Sequence, residues 1–382
     1  MSFKYRLYTP GPTSVPPETL AVLSQPVHHH RTAEFRKTFG EVHELLKYVF
    51  KTQENVYTIT GSGTAAFEAG FVSTLSPGAK VLNVTNGKFA ERWASYCKAF
   101  GCELVDHKLE YGTHVQPDVL KSELAKTKVD AVVLVHSETS TTTVCDLKAI
   151  AKAVRDTSPD TLLIVDGITS IGAMPFHMDE WGVDVAITGS QKSLMLPPGL
   201  GYVALSKRAQ AAMNGKKTLP SHYLDLRQYA KTIDKGDTPF TPANTLVEAQ
   251  LVSLKMLKAE GIENVWARTA LCAKAFRAAA KAVGLGLFSK QPSDSVSGVT
   301  YPAGVDDKAF RDHLKKAFNI HVAAGQGSME GSQFRINHMG YTDWFDVIAV
   351  VSAIELTLAK LGHKSFEPGT GVAAAQKVFA AA

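Results

Sequence analysis

The feature that most constrains this 382-residue chain is a series of short apolar runs that do not alternate with polar residues. They are Asn55–Thr60, Lys80–Thr85, Val129–Val135, Leu162–Asp166, the stretch from Val183 to Thr188, and Gly201–Leu205. A strand with one face in water reads apolar, polar, apolar; a run without that rhythm is covered on both faces. Stretches with helical character separate several of the runs: from about Gly63, from Gly87 to about Phe100, and from Asp146 to Thr157. Parallel strands need a long crossover, usually a helix. The pattern therefore predicts an α/β fold whose mostly parallel sheet is covered by helices on both sides. Ahead of it, Phe35, Phe39, Val42, Leu45, Leu46 and Val49 recur at helical spacing within Thr32–Phe50, so that helix buries one face.

The pattern changes past Thr245. A long helix to about Gly261 and an Ala-rich helix over Glu263–Val283 lead into strands near Ser295–Thr300, Ile320–Ala323 and Gln333–Asn337. Helices near Asp307–Phe318 and Trp344–Leu361 alternate with them, which reads as a smaller α+β unit. The expected division is an irregular arm over 1–20, a large domain over 21–260 and a small C-terminal domain over 261–382. The arm holds the Pro-rich Thr9–Pro17, and Gly371–Ala382 is either a short docked helix or a fraying end. One large core with a smaller companion suits this length.

Composition excludes several classes. Hydrophobic residues make up 45% and charged residues 20%, as in ordinary globular proteins. The net charge of +5 is scattered, with no basic run longer than a pair such as Lys216-Lys217, so no nucleic-acid surface is expected. No apolar run approaches the roughly 18 residues of a membrane span. Cys97, Cys102, Cys145 and Cys272 form no CxxC pair, and the adjacent His28, His29 and His30 point in different directions, so no metal site is expected. The N-terminus lacks an apolar signal core and the C-terminus lacks a peroxisomal address, which makes the cytoplasm the expected location.

Chemistry concentrates at two strand ends. Lys192 follows one apolar run in Gly189-Ser-Gln-Lys192, with Pro197-Pro-Gly199 behind it. An amine held by rigid backbone on both sides suits covalent work more than surface solvation. Asp166 closes the run Leu162-Leu-Ile-Val165. A carboxylate and an amine at the ends of two apolar strands suggest a pyridoxal phosphate site, with the lysine as Schiff-base amine and the aspartate facing the pyridinium nitrogen. An opposite charge moves a pKa by ~1–3 units, which keeps such a ring protonated and a good electron sink. Gly61-Ser-Gly-Thr64 begins a helix, where free amides and the helix dipole favour a phosphate. No Gly-Lys-Ser/Thr follows it and Gly-x-Gly-x-x-Gly is absent, which disfavours a P-loop and a nicotinamide dehydrogenase. Each feature also has a plain structural reading: a solvated loop lysine, a turn aspartate, a Gly/Ser helix start.

In order and spacing over nearly the whole chain, Pro10-Gly-Pro12, Gly61-Ser-Gly-Thr64, Val165-Asp166 and Ser190-Gln-Lys192 followed by Pro-Pro-Gly resemble the class V aminotransferases of pyridoxal phosphate fold type I. The alanine–glyoxylate/serine–pyruvate branch is the nearest in likeness. The resemblance implies a seven-stranded, mostly parallel sheet in the large domain and a smaller C-terminal α+β domain. It implies that Lys192 carries pyridoxal 5'-phosphate, that Asp166 pairs with the ring nitrogen, and that Ser62, Gly63, Thr64 and Gln191 bind the phosphate. Phe89 stands where relatives often carry Trp for stacking; it keeps a stacking face without the indole donor. Thr139, in His136-Ser-Glu-Thr-Ser140, matches a hydroxyl near the cofactor. Thr241 matches a threonine reaching the phosphate of the neighbouring subunit, which implies a homodimer with a shared active site. Relatives often have Tyr where this chain has Thr238. Arg335 matches the arginine that forks onto the substrate α-carboxylate, for which a planar guanidinium is suited; an internal Asp or Glu partner is the alternative. Gly11 would lie beside the substrate, and Arg31 would add a charge at its mouth.

The implied reaction moves an amino group from a small amino acid, alanine or serine, to the 2-oxo acid glyoxylate or pyruvate, with the Lys192 amine shuttling the Cα proton. Two rivals share the fold. A 2-aminoethylphosphonate–pyruvate aminotransferase shares the Thr-Pro-Gly-Pro opening. A lyase such as a cysteine desulfurase generally has His before the lysine, where this chain has Gln191, and uses a mobile nucleophilic cysteine. A non-catalytic relative is a third reading, against which the intact Lys192, Asp166 and Arg335 stand.

Overall fold

In the computed structural model, which describes residues 3–382, seven strands build the central sheet. They are β1 (Val56–Thr60), β2 (Lys80–Thr85), β3 (Glu103–Lys108), β4 (Ala131–Val135), β5 (Leu162–Asp166), β6 (Val185–Gly189) and β7 (Leu200–Leu205). Their order across the sheet is β1-β7-β6-β5-β4-β2-β3. Strands β2 to β6 pair in parallel, and β7 runs antiparallel to both β1 and β6. Every residue of β4, β5, β6 and β7 is buried, the physical cause of their unbroken apolar runs. Strand β3 has no such signature. It lies at the sheet edge, and its Glu103, Asp106, His107 and Lys108 are exposed or half-buried.

The flanking helices explain themselves locally. Helix α1 (Ala33–Phe50) starts at Thr32, whose side chain accepts from the Phe35 amide at 3.2 Å, and it buries Phe35, Phe39, Val42, Leu46 and Val49. Helix α2 (Gly63–Thr74) is buried along most of its length and is capped by Ser62. The helix expected from Gly87 starts instead at Glu91 and runs to Ala99. The amides of Lys88, Phe89 and Ala90, in the turn ahead of it, donate to the side chains of Ser140 and Glu138, which cap them.

Two main apolar cores result, beside a small cluster of Ala173, Met174 and Met339. The larger surrounds the central sheet; the smaller gathers Tyr8, Cys272, Phe276, Phe310, Phe334 and Ile354. After α3 (Asn244–Glu260), helix α4 (Ile262–Ala282) serves both, placing Val265 and Trp266 in the first and Cys272 and Phe276 in the second. The second core packs on an antiparallel sheet of β8 (Gly286–Leu287), β9 (Val296–Thr300), β10 (Ala323–Ala324) and β11 (Gln333–Asn337), in the order β8-β9-β11-β10. The strand expected over Ile320–Ala323 is divided: Ala323–Ala324 joins this sheet, while Ile320–His321 pairs in parallel with Arg6–Leu7 of the arm. The C-terminal stretch is helical over Thr370–Ala380. Its Phe379 stacks on Trp344 with centroids 4.8 Å apart, and Glu355 accepts from the amides of Gly369 (2.9 Å) and Gly371 (2.5 Å). Among the described residues no helix is long and apolar enough to cross a membrane, and no group of three or more His, Cys, Asp or Glu could hold a metal ion.

Candidate active site

Strands β5 and β6 are parallel neighbours, with Asp166 opposite Ile187, so the loops after both leave the same edge of the sheet. The crevice beyond the carboxyl ends of parallel strands is where open α/β sheets bind ligands. Asp166 is buried there, and its Oδ1 accepts from the Ile168 amide at 2.9 Å. Burial pushes its carboxyl up to about 7, against the pull of that amide and of the Lys192 charge.

Lys192 sits in the turn after β6 with 7% of its surface exposed. Its Nζ donates to the Pro10 carbonyl at 2.5 Å, and its own carbonyl accepts from Thr13 Oγ1 at 2.8 Å, so the N-terminal arm forms one wall around the amine. Burial, followed by the nearby Arg335 charge, lowers the ammonium pKa to about 8. Gly11 is required at this wall: its φ is +154°, and a Cβ there would stand 2.5 Å from Lys192 Cε and 2.6 Å from Nζ.

Arg335 reaches the same space from β11. It is buried, its Nε donates to Ala324 O at 3.0 Å, and its Nη1 donates to Thr139 O at 2.9 Å. Among the described residues it forms no ion pair with any carboxylate, so the internal Asp or Glu partner is not found. Burial lowers its pKa to about 10, which leaves it cationic at neutral pH. Thr139 Oγ1 lies 2.5 Å from Thr169 Oγ1. At the start of α2, Ser62 and Thr64 are exposed, Ser62 Oγ accepts from Thr64 N at 3.3 Å, and Gly63 is buried against Ile168, leaving no room for a side chain. Phe89 is half-buried beneath the Arg92 guanidinium, 4.6 Å from its ring centroid. Gln191 Oε1 is buried without a hydrogen-bond partner.

Two expected residues have no hydrogen bond or ion pair to Lys192, Asp166 or Arg335 within the single chain. Arg31 is exposed and donates to Asp237 at 2.6 Å and to Thr238 O at 3.2 Å; no hydrogen bond or ion pair joins it to Lys192, Asp166 or Arg335. A neighbouring counter-charge has claimed it. Thr241 is exposed on a segment whose Ala243 amide donates to Thr60 Oγ1 at 3.0 Å, just upstream of Ser62. The Thr238 hydroxyl is spent on Phe240 O at 2.8 Å.

One residue escaped the sequence reading. Glu138 is fully buried, and its Oε2 accepts from Phe89 N (3.1 Å) and Ala90 N (2.9 Å), its Oε1 from Ser140 N (2.9 Å) and Ser140 Oγ (2.6 Å). Only an acid in an otherwise small and polar stretch, directly before Thr139, could have marked it.

Pyridoxal phosphate combines an aldehyde, a basic ring nitrogen and a phosphate. The site offers a buried amine of lowered pKa, a buried carboxylate and a helix start with an intrahelically unpaired amide at Gly63. The residues present fit the group.

A seven-stranded sheet of this order, with Lys192 and Asp166 beyond its parallel strand ends, has the architecture of the fold type I pyridoxal phosphate aminotransferases. The chain belongs to the aminotransferase class-V family, whose sequence profile matches residues 7–342. It is 40% identical over 384 residues to the soluble hydrogenase 42 kDa subunit of Anabaena cylindrica, covering 99% of this chain and 100% of that one. It is 36% identical to the L-aspartate–glyoxylate aminotransferase of Paracoccus denitrificans (99% and 96% covered) and 34% identical to the serine–glyoxylate aminotransferase of Methylorubrum extorquens (97% and 94% covered). Among solved structures, the ureidoglycine–glyoxylate aminotransferase of Bacillus subtilis superposes with a TM-score of 0.93 at 31% identity, covering 100% of this chain and 99% of that one.

Proposed function

We propose that this class-V aminotransferase moves an amino group from a small amino acid, serine or alanine, to glyoxylate or pyruvate, with pyridoxal 5'-phosphate bound at Lys192 in a homodimer that shares its active sites. The observation that carries the reading is a buried guanidinium, Arg335, with no carboxylate partner among the described residues, beside a buried amine of lowered pKa. Its hydrogen bonds go only to carbonyls, so a substrate carboxylate would supply the direct ion pair that the chain does not. Three of the similar proteins bear names that share glyoxylate as acceptor and differ in donor.

When bound, pyridoxal phosphate supplies an aldehyde that condenses with amines and a ring that draws electrons from the substrate Cα. The chain's residues supply the rest. Lys192 Nζ would hold the cofactor and would move the Cα proton; a pKa near 8 keeps a useful fraction of the amine unprotonated at neutral pH. Asp166 holds its negative charge against the ring nitrogen, whose positive charge in turn draws the carboxyl below its raised value. Ser62, Gly63, Thr64 and Gln191, through its NH2 group, would hold the phosphate, and Phe89 and the Thr139 hydroxyl would contact the ring. Arg335 already spends Nε and Nη1 on carbonyls and turns its remaining N–H groups to the α-carboxylate, next to the Gly11 backbone. The exposed Thr241 reaches the phosphate of the neighbouring subunit. Arg31 would add a charge at the substrate mouth, tempered by its ion pair with Asp237.

A desulfurase-type lyase is poorly supported. Cys97, Cys145 and Cys272 are buried, and burial pushes the Cys97 and Cys272 thiols up to about 12, which makes them weak nucleophiles. The donor set of amine, carboxylate and guanidinium suits carbonyl condensation, whatever assembly the Anabaena protein's name refers to.

The test is a panel of serine, alanine, aspartate, cysteine and 2-aminoethylphosphonate against glyoxylate and pyruvate, followed by absorbance. Serine or alanine should turn over with glyoxylate, and Lys192→Ala should abolish turnover. Residual ping-pong turnover in Lys192→Ala would refute the role of the amine. Phosphonate as sole good donor, or sulfide release from cysteine, would move the protein to a rival class.

A further inference from the structure

The turn that carries Phe89 is held in an unusual way. Three successive amides point at two side chains from the segment after β4: Lys88 N donates to Ser140 Oγ at 2.9 Å, Phe89 N to Glu138 Oε2 at 3.1 Å, and Ala90 N to the same oxygen at 2.9 Å. Ser140 closes the bracket, donating its amide (2.9 Å) and hydroxyl (2.6 Å) to Glu138 Oε1. The turn passes so closely that a Cβ on Gly87 would stand 2.5 Å from Glu138 Cδ and 2.6 Å from Ser140 Oγ. The outer face of the Phe89 ring is covered by Arg92. A buried acid with four donors is expensive to keep and is poorly explained as filler, since burial alone pushes its carboxyl up. It sits within electrostatic reach of Lys192, Asp166 and Arg335 but belongs to neither strand end.

We propose that Glu138 is a positioning residue: with Ser140 it fixes the Gly87–Ala90 turn so that one face of the Phe89 ring meets the cofactor while Arg92 backs the other. This rests on the reading that pyridoxal phosphate binds between Lys192 and Asp166. All four contacts are donors to Glu138, so the ionised carboxylate is the matched form. An amide at 138 would turn an NH2 group toward a donor, releasing at least one of the two halves of the bracket. The ring would then lose its fixed distance from the cofactor, although the side chain that changes never touches it.

The experiment is a double-mutant cycle on the full-length holoprotein, made from Glu138→Gln, Phe89→Ala and the combination. It is read by the dissociation constant of pyridoxal phosphate and by the position of the bound-cofactor absorption band, with circular dichroism to check folding. Loss of a hydrogen bond to a charged group predicts ~tenfold or more weaker cofactor binding for Glu138→Gln, together with a shifted band. In the Phe89→Ala background the same change should have less than about a twofold further effect, because coupled residues are non-additive. Ser140→Ala, which removes only a hydroxyl, should move both readouts the same way by a smaller amount, and it keeps the test open should Glu138→Gln fold poorly. Additive penalties, or an unmoved affinity and band in Glu138→Gln and Ser140→Ala, would overturn the proposal while leaving the cofactor site standing. Wild-type protein that takes up no pyridoxal phosphate would overturn both.

Discussion

Lysine at position 335 separates charge from geometry. Arginine there spends two donors on the chain itself, Nε on Ala324 O at 3.0 Å and Nη1 on Thr139 O at 2.9 Å, and has others to offer a carboxylate. Lysine keeps the charge and has three donors on one atom, so it cannot serve two fixed carbonyls and fork onto a carboxylate together. The expected loss is at least one strong substrate contact. At roughly 3 kcal/mol for a charge-assisted, partly bidentate bond, that is ~150-fold in kcat/KM. The fall should come mainly through KM, because the carboxylate is bound before and during the reaction. A second cost is structural: Ala324 O or Thr139 O left unpaired in a buried site destabilises the fold by about 1–3 kcal/mol, which urea denaturation would register separately. The assay is steady-state kinetics with serine or alanine and glyoxylate, alongside the half-reaction of a simple primary amine without a carboxylate. The amine should react with Arg335→Lys about as it does with wild type. If the amino acids lose less than about fivefold, or the amine loses as much as they do, Arg335 does not bind the α-carboxylate and the reasoning fails.

Three other outcomes follow from the same geometry. Asp166 has a folded-state pKa raised from 3.8 to about 7, so in cofactor-stripped protein the native state holds a proton between those values that the unfolded chain has released. Stability should fall as pH rises from about 4 to about 7, by at most about 4 kcal/mol, and Asp166→Asn should flatten that slope in urea melts at pH 4.5 and 7.5. Gly11→Ala should cost about 1–3 kcal/mol in backbone strain and displace the Lys192 amine; cofactor loading as rapid as in wild type would count against the arm as a wall of the site. Glu355→Ala strips the acceptor from the Gly369 and Gly371 amides and should release the Thr370–Ala380 helix, seen as new proteolytic cleavage between Leu361 and Thr370 at unchanged activity.

What could be read from the chain alone follows from where each residue's partners lie. Strands β4 to β7 were legible because burial on both faces forces a run of Val, Ile, Leu and Ala that few other settings tolerate. Edge strand β3 was not, since water on one side relaxes that demand and Glu103, Asp106 and Lys108 are then acceptable. Lys192 and Asp166 were visible because each directly follows or ends such a run. Arg31 and Arg335 show the limit. Both are arginines with a plausible anionic ligand, yet one is neutralised by Asp237, 206 residues away, while the other meets only carbonyls. Charge type in a sequence does not tell which of these will happen; only the folded neighbourhood does.

Glu138 carries the same lesson further. Its two distant partners are backbone amides about fifty residues upstream, and an amide is present at every position except proline, so no pairing of side-chain types announces that contact. The Gly87–Ala90 turn ahead of the Glu91–Ala99 helix and the overlooked Glu138 meet at the same amides. The turn ahead of that helix presents free amides to Glu138, an acid from the segment after β4, which caps them. Where the free amides at a helix start are buried, a distant polar side chain is the partner to look for, and here that side chain lies against the site.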